Sequence, residues 1–194
     1  MAVPLPYLAL ALADVALAAT DRTTARRLTK PLLMPALLPG RAPATRTALA
    51  LGWAGDVALL SSGPAALPAG LGCFLAGHAA WIAALRTRPS TALVRRRPLR
   101  ALPYAAAWLG LSAHLWPRTG SLRVPVLVYG AALTGTALVA LDTGRPPAAA
   151  GGALFLASDT LLALGRFAGV HLPGGEALVM ATYTAAQALL AEGG

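Results

Sequence analysis

The chain has 194 residues, 57% of them hydrophobic and 12% charged, about half the charged share of a soluble domain. With a mean hydropathy of +0.64, it has too little polar surface to face water and is excluded from the soluble globular class. The net charge of +9 and pI near 11.3 would suggest nucleic acid in a soluble protein, but here the arginines gather in short stretches between apolar runs and no aromatics interleave with them. The positive-inside bias of membrane proteins accounts for that pattern. The expectation is an all-α polytopic transmembrane bundle, one integral membrane domain over residues 1–194, with the lipid bilayer and no nucleic acid as partner.

Val3–Ala19 is the first predicted span, with Asp14 inside it. Ala16-Leu17-Ala18 resembles a signal cleavage site, yet the internal Asp and the absence of a basic leader favour a retained helix. A charged turn, Asp21–Arg27, precedes Lys30–Pro39, whose three prolines in ten residues remove backbone donors. This second segment is predicted to be either a short, proline-broken helix or a re-entrant piece, buried by protein or lining a cavity. Thr45–Ser62 follows and holds Asp56. Ala65–Leu85 holds Phe74, His78 and Trp81. The basic loop Arg86–Arg100 leads to Ala101–Trp116, with Tyr104 and His114. Leu122–Leu141 contains Tyr129, Pro147–Leu164 contains Asp159, and Glu176–Ala191 carries Tyr183 and Gln187 one helical turn apart. Each span is near the length that crosses a hydrocarbon core of about 30 Å, and the count is about eight. The single cysteine, Cys73, excludes an internal disulfide.

With eight segments, alternate loops share a side. Arg41, Arg46, Arg86, Arg88, Arg95, Arg96, Arg97, Arg100 and Arg145 collect on one side, Arg22, Arg26, Arg27, Lys30, Arg118, Arg123 and Arg166 on the other. The larger set points to a cytoplasmic side that also holds both termini, in a bacterial-type inner or cell membrane. Asp14, Lys30, Asp56, His114 and Asp159 then share the non-cytoplasmic half, and His78, Tyr183 and Gln187 lie nearer the midplane.

Asp56 and Asp159 carry the chemistry. A carboxylate inside an apolar helix costs roughly 2.5–3.5 kcal/mol even on the mildest scale, so function is the first hypothesis for it. Burial and a second carboxylate nearby favour one acid keeping its proton while the other stays charged, the division needed for acid–base catalysis. The alternative is two separate acids, each neutralised by a base and serving only packing. Lys30 either holds a lipid phosphate, neutralises a buried acid or snorkels to the interface. His78 shares a helix face with Phe74 and Trp81. With three histidines on different segments, no metal site is expected. His114 and His171 read as interfacial. Tyr183 and Gln187 project together, as hydrogen-bonding groups or as helix glue. Ser158 has the option of bonding back to its own helix, and Asp14 of facing headgroups. No Gly-x-Ser-x-Gly elbow occurs. The Gly-x-Gly-Asp signature of intramembrane aspartyl proteases is missing its first glycine, whose place is taken by Trp53, and Ser158 stands where its partner motif has tyrosine.

Taken together, Lys30-Pro31, Gly55-Asp56 with Leu59, Phe74 with Gly77-His78, the run Gly152-Ala153-Leu154-Phe155 with Ser158-Asp159, and Tyr183 with Ala186-Gln187 resemble the YhhN-like, lysoplasmalogenase family. The stretch GALFLASDTLLALGRF carries most of the resemblance, and nothing is carried over from the segment around Tyr129. The resemblance implies an eight-helix membrane enzyme that hydrolyses the vinyl ether bond of lysoplasmalogens to a fatty aldehyde and a glycerophospho-alcohol. It implies Asp56 and Asp159 as the catalytic pair, a lysophospholipid as substrate, and neither cofactor nor metal. Lys30, His78, Ser158, Tyr183, Gln187 and Asp14 are then the candidate substrate-binding residues. Two other classes fit buried acids: a small solute or proton-linked carrier, for which no internal repeat is found, and a non-catalytic lipid-binding protein.

Overall fold

The computed structural model describes residues 3–192. Its regular structure is helical throughout: α1 (Leu5–Ala19), α2 (Thr23–Leu37), α3 (Pro43–Ala58), α4 (Ala66–Arg86), the single turn α5 (Leu93–Arg96), α6 (Leu102–Leu115), α7 (Arg123–Asp142), α8 (Pro146–Ala168) and α9 (Gly175–Ala191). Proline occupies the first turn of α1, α3, α6 and α8, where its missing N–H has no intrahelical partner to lose. Ala66–Arg86, Gly120–Asp142 and Pro146–Ala168 are long and apolar enough to cross a membrane, and Leu5–Ala19 is apolar but shorter. The protein is an integral membrane protein.

Segment lengths differ from the expected near-uniform spans. α6 has 14 residues and α8 has 23. The second segment is not broken. It starts at Thr23, seven residues before the predicted Lys30, and runs through Pro31 and Pro35 as one helix. The physical reason is a substitute donor. Pro35 has no N–H to give the carbonyl of Pro31 four residues back, and the Trp53 indole N–H of α3 donates to that oxygen at 2.9 Å. An unpaired carbonyl is costly in an apolar medium, so one tryptophan on the next helix lets the segment stay helical.

The helices close into a ring. α1 packs on α2, α2 on α3, α3 on α4, α4 on α7, α7 on α8, α8 on α9 and α9 on α1. α6 stands outside, against α7 and α8, and Leu115 is its one buried residue. Small residues set the closest approaches. A Cβ on Gly152 would sit 2.8 Å from the Ala137 backbone, and one on Gly55 would sit 2.7 Å from the Phe74 ring. These two glycines let α7 close on α8 and α4 on α3, in the manner of small-residue contacts between membrane helices.

α1 and α9 run antiparallel. The Tyr7 hydroxyl near the start of α1 donates to the Thr184 carbonyl in α9 at 2.7 Å. At the other end of the pair, Arg26 reaches both Asp14 of α1 and Glu176 of α9. The first and last helices therefore begin and end on the same side of the bundle. There, Arg41 donates to the Ala191 carbonyl at 2.8 Å and Arg88 to the Leu190 carbonyl at 3.3 Å. Two cations thus meet the negative end of α9. Arg41, expected in a loop, is buried.

Trp53→Phe is expected to destabilise the protein by about 1 kcal/mol, the net worth of one hydrogen bond. In a Pro35→Ala background the cost should shrink, because position 35 then carries an amide N–H that serves the Pro31 carbonyl. Unfolding by SDS titration of the four variants in mixed micelles measures the coupling.

Candidate functional site

Three polar groups lie between the ring helices. The first is centred on Asp56, which is 2% exposed. Lys30 of α2 brings its Nζ to 3.5 Å from Asp56 Oδ1. The Tyr183 hydroxyl of α9 donates to Asp56 Oδ2 at 2.7 Å, and Gln187 Nε2, one turn later, donates to the Tyr183 oxygen at 3.2 Å. α2, α3 and α9 therefore each supply one part. The Gln187 side-chain oxygen is buried without a partner.

The second is centred on Asp159, which accepts a hydrogen bond from the Tyr129 hydroxyl of α7. His78 of α4 lies with Nε2 3.3 Å from that hydroxyl and Nδ1 3.2 Å from Thr136 Oγ1. Thr136 in turn donates to the Ala132 carbonyl at 3.0 Å. Tyr129 and Thr136 are seven residues apart, two helical turns, and so present one face of α7 to His78. Asp159 differs from Asp56 in two ways. No cation lies within ion-pair distance of it among the described residues, and it is only partly buried. Its carboxyl forms part of the wall of a groove between α6, α7 and α8.

Asp56 and Asp159 make no hydrogen bond to each other; each is held by its own tyrosine. Phe155 of α8 joins the two groups. Its ring packs edge-on against His78 at 4.7 Å and against Tyr183 at 5.5 Å between centroids. Phe74 packs edge-on against Tyr183 at 6.3 Å. The cleft lined by Phe74, His78, Trp81, Phe155 and Gln187 has no room for water in this conformation.

The third group is Asp14, which is fully buried. It accepts from the Thr29 hydroxyl at 2.5 Å and lies 3.5 Å from Arg26 Nε, while Arg26 Nη1 reaches Glu176 at 2.5 Å. Asp14 therefore shares neither the Asp56 nor the Asp159 network. Ser158 is also apart: its hydroxyl donates to the Val179 carbonyl at 3.1 Å and ties α8 to α9, instead of bonding back to its own helix. His114 and His171 are exposed. Among the described residues no three His, Cys, Asp or Glu side chains lie close enough together to hold a metal ion.

Sequence reasoning brought Lys30, Asp56, His78, Asp159, Tyr183 and Gln187 into view. It missed Tyr129 and Thr136. Their seven-residue spacing in an otherwise apolar span was the available signal. It also missed Thr29 and Arg26, placed in or beside a loop because α2 was taken to start later. A helix starting at Thr23 puts Arg26 and Lys30 four residues apart on one face.

The YhhN family profile matches residues 4–194. A protein named lysoplasmalogenase from Mycobacterium bovis is 35% identical over 132 residues, 64% of this chain and 49% of the relative. A lysoplasmalogenase from Mycobacterium tuberculosis matches with the same identity and coverage. The chain spans about half the length of these curated relatives. No solved structure matches it.

Lys30→Met leaves Asp56 without its cation and is expected to cost about 2–3 kcal/mol, typical of removing one partner of a buried charged pair. Lys30→Met combined with Asp56→Asn should cost less than the sum of the two single changes. Strict additivity in SDS-titration unfolding would show that the two side chains are not coupled.

Proposed function

The chain belongs to the YhhN family, and on that premise we propose that it is a membrane ether hydrolase acting on lysoplasmalogen-type lysolipids. The reaction consumes one water and yields a fatty aldehyde and a glycerophospho-alcohol. The observation that supports this most is the contrast between the two carboxyls. Asp56 is paired with Lys30. Asp159 has a phenol beside it and a partly open, largely apolar space in front of it. A cation beside a carboxyl can balance the charge it carries, and the carboxyl that lines an open apolar space is the one a vinyl ether can reach. Asp159 is then the proton donor and Asp56 the base.

Vinyl ethers react with acid at carbon. Asp159 delivers its proton to the alkene carbon remote from oxygen, and an oxocarbenium ion forms at the other. Tyr129 donates to the carboxylate left behind. Water attacks the cation and gives its proton to Asp56, producing a hemiacetal. As the carbon–oxygen bond to glycerol breaks, the hemiacetal hydroxyl proton passes to Asp159 and the leaving oxygen takes the proton from Asp56. Both acids return to their starting states. Two carboxyls serve glycoside cleavage through a related cation in the same way.

Lys30 has a second duty. It is only partly buried, and Arg26 precedes it by one turn on the same face of α2. Arg26 is held by Asp14 and Glu176, so Lys30 is the cation suited to a headgroup phosphate, as a point charge. Tyr183 and Gln187 hold Asp56 in position from α9, and His78 holds Tyr129. Asp14 and Ser158, committed to other partners, shape the scaffold around the site. The bulk of the arginines lie toward the end where α9 stops, and that end is assigned to the cytoplasm with both termini.

Purified protein in detergent is expected to release aldehyde from a vinyl-ether lysolipid. Asp56→Asn and Asp159→Asn should each lower the rate at least about 10²-fold, the low end of general acid–base contributions. A variant that keeps its activity removes that carboxyl from the mechanism. Tyr129→Phe should lower kcat by about ten- to a hundredfold, the worth of one hydrogen bond to a charged group, while KM stays near the wild-type value.

A further inference from the structure

Beside the ring lies a groove that the helix packing leaves open. Its walls are α7 and α8, its outer cover is α6, and its volume is about 440 Å³ with the open end included. About 50 Å³ of that is wide enough for water, unlike the closed cleft near His78. The walls are mainly apolar, with Leu111, Leu115, Val126, Leu133, Leu156 and Ala163 among them. The inner wall carries Asp159 and Tyr129.

Two features mark the edge and the wall of this space. Gly130 lines the groove, and a Cβ there would stand 3.0 Å from the Trp108 ring, so the close packing of Trp108 on α7 at the groove's edge depends on a missing side chain. The Thr134 hydroxyl, on the same wall, is buried without a hydrogen-bond partner, although Thr136 two residues on bonds back to its helix. The cover α6 is tied to α7 by the Trp108 indole N–H, which donates to the Leu127 carbonyl at 3.3 Å, but it lies outside the ring, and Leu102 and Leu109 on it are 57% exposed, toward what in a bilayer is hydrocarbon.

We propose that this groove takes the hydrocarbon chain of the lysolipid, which enters sideways from the bilayer between α6 and α8 and presents its ether end to Asp159. The inference rests on the lysolipid reading above and adds where the chain lies. The chain class follows from the walls: an unbranched apolar tail loses nothing on leaving hydrocarbon for Leu and Val side chains. A polar solute would have to give up water without replacement. The direction follows from the polar groups: Asp159 and Tyr129 lie on the inner wall, so the ether end points inward and the tail outward toward the bilayer.

The test is photolabelling of the full chain in lipid nanodiscs. The probe is a lysophospholipid with an uncleavable saturated ether chain and a diazirine a few carbons from the ether oxygen. Adducts mapped by peptide mass spectrometry are expected on Leu111, Leu156 and Ala163, and unlabelled lysolipid should suppress them. Ala163→Phe fills the groove and should weaken this competition at least about tenfold, what losing the burial of two methylenes amounts to. Adducts spread over all lipid-facing helices, or concentrated near Phe74 inside the ring, would overturn the assignment. Aldehyde release by the same preparation separates the two ideas. Groove adducts without aldehyde from a vinyl-ether lysolipid would sink the hydrolase and keep the groove as a lysolipid site. Aldehyde release with adducts elsewhere would do the reverse.

Discussion

Inside hydrocarbon, a polar group has only the protein to turn to, and this constraint shapes the molecule at every scale. The Pro31 carbonyl, left over when Pro35 enters the helix, is taken up by Trp53. Asp56 is met by a cation and a phenol, Asp159 by a phenol, and Asp14 by a hydroxyl and a guanidinium. The last carbonyls of α9 are met by Arg41 and Arg88. All of these contacts but those of the loop residues Arg41 and Arg88 join different helices, so satisfying the polar groups also fixes which helices are neighbours.

The ring and the two acid sites are therefore aspects of one arrangement. α3 must lie beside α2 for Lys30 to reach Asp56, and α9 must face it for Tyr183 to do so. α4 and α7 must meet for His78 to touch Tyr129 and Thr136. Glycines at 55 and 152 permit the approaches, because any side chain there would strike a ring or a backbone. Phe155 then packs on both His78 and Tyr183, so one ring borders the supports of both acids.

The two carboxyls have the same chemistry and different surroundings. One is closed in with a cation. The other looks out on an apolar groove whose cover, α6, takes no part in the ring. The function proposed above calls for this combination: a charge balanced inside the bundle, and an acid reachable from the hydrocarbon side. The same difference in environment separates acid from base in soluble enzymes with paired carboxyls.

Much of this was legible in the residues. Low charge and long apolar runs determined a helical membrane protein, since no other structure hides its backbone in lipid with such a pattern. Acids within those runs marked Asp56 and Asp159, because an ionisable group at that depth is expensive. Lys30, His78, Tyr183 and Gln187 stood out as polar residues in apolar segments. The tertiary structure decided what periodicity cannot carry. It kept α2 whole through its prolines, by means of a tryptophan eighteen residues beyond Pro35. It gave each aspartate its own tyrosine, and it committed Asp14 and Ser158 to other partners. Helix spacing fixes which side chains share a face, whereas the partner across that face comes from another part of the chain, and only packing selects it.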